Sequence, residues 1–161
     1  MSSQSQINDY SFASFLETVQ TIDFFRDDPF LQRLTEYYVG NEWPILREKL
    51  FEFSSKVSYR WRDLSVEAAR PEFRPFLQQY DAYNNRVDKI VRSRKTEILE
   101  KEIFAERLFS AQTTPWEHFV KRLLLHELGE IGVLCPIACT EGLIALIEAF
   151  PEGIHPEVQR I

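Results

Sequence analysis

Few residues in this chain are of a type and spacing that could do chemistry. His126-Glu127-Leu128-Gly129-Glu130 begins like a zinc-hydrolase helix, where two imidazoles one turn apart hold the metal and the carboxylate between them acts as base. The second imidazole is missing, because Glu130 stands four residues after His126. These positions therefore read as a surface histidine and two solvated carboxylates. Cys135-x-x-x-Cys139, with His126 upstream, offers three soft ligands, but the three-residue gap and the missing fourth ligand fit no usual zinc spacing. On a helix the two thiols share a face at the wrong angle for an unstrained bridge, so they are expected to be buried, reduced core residues. A di-iron bundle needs a pair of Glu-x-x-His motifs, and neither His118 nor His126 has a glutamate three positions before it. The basic run Arg92-Ser93-Arg94-Lys95 is answered by Glu97 and Glu100, which leaves little net field. Residue type and spacing thus point to no catalytic residue and no metal site.

Composition narrows the classes further. The 161 residues include 19 Lys+Arg and 25 Asp+Glu, a net charge of −6. Phosphate binding needs clustered cations that release counterions, so no nucleic-acid partner is expected. The polar N-terminus lacks the cationic and apolar regions of an export signal, and a cytoplasmic location is expected. The longest apolar run, residues 131–150, contains Pro136 and is interrupted by Glu141 and Glu148. A charge near the centre of a membrane span costs about 3 kcal/mol, so this run is expected to be a buried core helix rather than a membrane contact. With 44% hydrophobic residues, among them 13 Phe, the chain can form one domain over residues 1–161.

The elements that must position any site read as helices. Residues 1–10 are expected to be flexible. Phe12, Phe15, Leu16, Val19 and Ile22 recur at helical spacing and predict a first helix over about 11–22. Asp27-Asp28-Pro29 supplies a cap and a first-turn proline for a short second helix, which Gly40 can close. From Leu46 through Leu50, Phe53, Val57 and Trp61 to Leu64, apolar residues three or four apart predict one long helix. Pro71, Pro75 and Asn84-Asn85 break the period, so residues 70–92 are expected to be a long loop with aromatic anchors. A further helix is predicted over about 93–109. Thr114-Pro115-Trp116-Glu117 reads as a reciprocal capping box opening a helix that runs to Ile131, with Gly129 and Gly132 near its end. Residues 137–150 are apolar nearly all round and need cover on several sides. Pro156 to Ile161 read as the opening of another helix, so the C-terminus is expected to be a cut or a domain edge. With no strand-period segment and no Gly-rich phosphate loop, the class expected is all-α, a helical bundle.

Three stretches, taken in order, resemble one family: DFFRDDPFL at 23–31, YDAYNNRVDKI at 80–90 and GVLCPIACT at 132–140. They are similar to the acyl-CoA dehydrogenase-like flavoproteins, in particular to the subgroup of the bacterial adaptive-response alkylation protein. The last stretch resembles that family's Leu-Cys-Pro-x-x-x-Thr segment. Where the subgroup often has a Phe-His-Pro-like sequence after its Arg-Val-Asp motif, this chain has Val91-Arg92-Ser93-Arg94.

The resemblance implies a three-part enzyme with an N-terminal helical domain, a middle β-domain holding most flavin contacts, and a C-terminal four-helix bundle carrying the catalytic carboxylate. This chain corresponds to the first part alone, so the resemblance assigns it no catalytic residue. FAD belongs to the complete family member, and none is expected on this chain alone. The complete enzyme would pass a proton from an acyl thioester to its base and a hydride to flavin. The helix near Pro136 would wall the acyl pocket, which makes Cys139, Thr140, Leu143 and Ile144 candidate wall residues. The implied partners are the missing β-domain and bundle, or a second chain, and the protein could be a homo-oligomer. The alternative expectation is a stand-alone helical interaction module that has lost the chemistry and uses exposed faces of the 137–150 helix.

Overall fold

The computed structural model describes residues 12–151. Its elements run α1 (Ala13–Thr21), α2 (Pro29–Val39), α3 (Trp43–Ser55), a π-helical stretch (Lys56–Trp61), α4 (Arg62–Ala68), β1 (Phe76–Tyr80), β2 (Arg86–Val91), α5 (Arg94–Ala105), α6 (Pro115–His126) and α7 (Ile131–Ala149). The flexibility expected for residues 1–10 and the helical turn expected from Pro156 lie outside the described residues.

Short polar side chains start these helices by accepting from first-turn amides that have no partner inside the helix. Asp28 accepts from Leu31 N–H at 2.9 Å, Ser93 from Lys95 at 3.1 Å, Thr114 from Glu117 at 3.2 Å and Glu130 from Val133 at 2.9 Å. Only half of the expected capping box forms. The Glu117 carboxylate turns inward to Lys121 and Lys49 instead of back to the Thr114 amide. Gly40 ends α2 at φ +63°. A side chain there would meet nothing within 4 Å, so the cost of Gly40→Ala is expected to be the backbone strain of a positive φ with ψ −125°, about 1–3 kcal/mol, read as a lower urea midpoint.

The long helix predicted from Leu46 to Leu64 forms, and a wider turn interrupts it. Phe53, Val57, Trp61 and Ser65 lie four apart and are all buried. On a regular α-helix each step of four drifts about 40° around the axis. The π-helical turn takes up that drift and keeps the four on the core side. Here Trp61 meets Phe53 edge-on at 5.4 Å, and its indole N–H donates to Glu102 at 2.9 Å. Arg60 also binds Glu102, and chiefly through that bond the Glu102 carboxyl is held below its ordinary range. Phe25, Leu50, Leu99, Ile103, Leu124 and Ile137 complete a core at most 1% exposed, where α3 packs on α2 and α6, α4 on α5, and α5 on α7.

Several expectations are corrected. The class is mostly helical rather than all-α, because residues 76–91 form an antiparallel hairpin where a loop was expected. Its turn is built on Asp81, whose carboxylate accepts from the amides of Tyr83 (2.8 Å) and Asn85 (2.9 Å) and from the Asn85 side chain (3.0 Å). Those bonds, the Asn85 side chain first, lower the Asp81 pKa. The helix of residues 93–109 stops at Ala105, before Arg107 at φ +56°. The helix from Pro115 stops at His126, since Gly129 turns the chain at φ +65°, and α7 opens at Ile131 with Pro136 inside it. α1 buries none of its residues and leaves Phe12, Phe15 and Leu16 exposed. The run expected to be a buried core helix is also largely uncovered. Among the described residues, Gly132–Ala149 is the one helix long and apolar enough to cross a membrane, and 11% of it is buried.

Candidate functional site

α6 and α7 bring a histidine, an arginine and a glutamate to one cleft of about 490 Å3. His118 and Arg122 stand one turn apart on α6, and Glu141 faces them from α7. Glu141 is a carboxylate on an otherwise apolar helix, a position that is tolerated when the charge is paired. Its Oε2 lies 2.5 Å from Arg122 Nη1, and its Oε1 lies 3.3 Å from His118 Nε2. That second contact is within ion-pair reach, yet the geometry is not that of a hydrogen bond, and Oε1 is buried with no hydrogen-bond partner. Phe109 leans on the His118 ring at 6.0 Å and, with Ile144, makes the apolar wall. The cleft offers an apolar group the surfaces of Phe109 and Ile144, whereas Oε1 of Glu141 is shielded by the surrounding protein and held beside the imidazole.

FAD does not fit this cleft. A pyrophosphate needs cations or converging backbone amides, whereas the cleft's one arginine, Arg122, is committed to Glu141 and Glu148 adds a second carboxylate to the lining. Among the described residues, no group of three or more His, Cys, Asp or Glu side chains could hold a metal ion. His126 is exposed, its Nδ1 2.8 Å from the carbonyl of Arg122, and Glu127 is exposed, as expected. Glu130 differs from the expected solvated carboxylate, since it caps α7.

The four candidate wall residues do not converge on one enclosed pocket. Ile144 alone lines the cleft. Thr140 is half-buried and donates to the carbonyl of Pro136 at 2.8 Å. Cys139 and Leu143 are exposed on the outer side of α7. Cys135 is exposed too, so the expectation of two buried core thiols is corrected: among the described residues no element covers the side of α7 they occupy. The hydrogen bond with Cys135 is the main cause that raises the Cys139 pKa, so Cys139 is a thiol rather than a reactive thiolate at neutral pH.

The comparisons with known proteins add no relative: no family model, no curated protein and no solved structure matches this chain. The grouping of His118, Arg122 and Glu141 was missed by spacing arguments, because its members come from two different helices. Two signals were present all the same: His118 and Arg122 at i and i+4, and a lone glutamate within the apolar segment.

Proposed function

We propose that this chain is the helical domain of an acyl-CoA dehydrogenase-like flavoprotein, in which α7 supplies part of the wall of the acyl pocket. The observation that carries this reading is the uncovered apolar side of α7. Leu143, Leu146 and Phe150 are 52%, 56% and 66% exposed, although the helix is apolar nearly all round. Apolar surface of that kind marks a ligand or partner site. An acyl chain needs such surface and asks for no hydrogen bond in return. Flavin, which supplies the hydride acceptor when bound, and the base that takes the proton would belong to other parts of such a protein.

Capture of the tagged chain from its native cell tests the reading. The captured protein is expected to show flavin absorbance that bleaches when a long-chain acyl-CoA is added. Leu143→Asp should leave the flavin in place and raise the acyl-CoA needed for half-bleaching at least about tenfold, because a carboxylate would face the apolar chain. A colourless capture would overturn the proposal and leave the stand-alone interaction module in its place.

A further inference from the structure

The hairpin, like α1, buries none of its residues. Of residues 76–91 only Gln78, Asp81 and Val91 are even half-buried, and Phe76 and Ile90 are 60% and 67% exposed. A lone two-stranded hairpin is marginal in water and gains from a further strand. Its two edges are unlike. β2 carries Arg86, Asp88 and Lys89. Between the pairs Gln78↔Lys89 and Tyr80↔Arg86 it also has one residue more than β1, with Asp88 at φ +42°. Charges and bulges are the devices that spoil an edge for pairing. β1, Phe-Leu-Gln-Gln-Tyr, has no charge, no proline and no extra residue.

We propose that the open edge of β1 is an interface for a second copy of this chain, the two β1 strands pairing antiparallel into a four-stranded sheet. The Asp81 amide points toward β2, since it donates to the Asn85 carbonyl at 2.9 Å. Backbone groups alternate along a strand, so the amides of Phe76, Gln78 and Tyr80 face the open edge. The Tyr80 carbonyl on that edge accepts from the side-chain amide of Gln78 at 3.1 Å, a bond that an incoming strand would replace.

The segment is self-complementary about Gln78. Phe76 falls opposite the partner's Tyr80, and Gln78 falls opposite the partner's Gln78. Aromatic pairs of this kind stabilise sheets. The net charge of −6 drives two copies apart, so an uncharged strand is the surface on which they can meet.

Sedimentation velocity over a dilution series tests the interface on the whole chain. The unaltered chain is expected to dimerise. Gln78→Lys should raise the dissociation constant at least about tenfold by setting two lysines face to face, while leaving helical circular dichroism unchanged. An equimolar mixture of Gln78→Lys and Gln78→Glu chains should restore association, which a variant that had failed to fold could not do. Leu146→Asp on α7 should leave the dimer intact. A chain that stays monomeric at every concentration would overturn the proposal and leave the edge to a strand of another protein. So would a dimer indifferent to Gln78→Lys, or one dispersed by Leu146→Asp, which would place the contact on α7.

Discussion

Glu117→Ala is expected to lower stability by about 3–5 kcal/mol, because it leaves a lysine buried without its counter-charge. Glu117 and Lys121 are both buried, with Lys121 Nζ 2.8 Å from Oε1 and the Phe53 ring 5.2 Å from the ammonium. Lys49 reaches the other carboxylate oxygen at 3.3 Å from α3, so the glutamate also ties α6 to α3. Replacing both members, Glu117→Leu with Lys121→Met, should recover most of the loss, since a buried ion pair gives little net stability over an apolar pair of similar volume. Urea midpoints of the single and double variants decide this, and a double variant no better than Glu117→Ala would refute it.

Burial pushes the Glu117 carboxyl up, but Lys121, by hydrogen bond and charge, and then Lys49 outweigh it and hold the pKa below the ordinary 4.5. As pH falls, the unfolded chain therefore takes up this proton first. The contribution is fully present above 4.5 and is lost as pH drops through the folded value. Glu117→Gln should remove that share of the acid-side slope and leave the slope near neutral pH unchanged.

Asp23→Ala is expected to cost about 3 kcal/mol, with loss of amide protection across residues 24–26 in hydrogen exchange. Asp23 is buried, and its Oδ1 accepts from the amides of Phe25 (3.2 Å) and Arg26 (2.9 Å) and from the Ser54 hydroxyl (2.5 Å). Ser54 in turn accepts from Phe25 N–H at 2.9 Å, and Ser58 from Phe24 N–H at 2.8 Å. The turn that aims Phe25 into the core is thus fixed to α3 and the stretch after it, and without the carboxylate the buried Ser54 hydroxyl and the Arg26 amide lose this acceptor. Asp23→Asn keeps an acceptor at Oδ1 and should lose roughly half as much.

The helices were legible where their signals are local. Asp28 before Pro29, Thr114 before Pro115 and Gly40 after Val39 act within one turn of themselves, and they mark real ends. The hairpin was not legible because the usual strand pattern comes from burying one face, and here both faces are exposed. What remained was the Asp81 to Asn85 turn, which a loop could equally contain. The apolar run around Pro136 was misjudged for the same underlying reason: burial depends on what lies over a helix, and composition does not record that. Polar partners were hidden by distance along the chain, as with Asp23 and Ser54, or His118 and Glu141.

The wide turn at Lys56–Trp61 holds one residue more than a regular helix would need. Deleting an exposed residue there, such as Tyr59, should therefore relax the stretch to a regular α-helix and leave α4 nearly where it is: the eleven regular steps then separating Phe53 from Ser65 make about 1,100°, within about 20° of three full turns. Adding a residue would instead turn α4 by about 100° away from α5. In this protein those six residues can lose a position more readily than they can gain one.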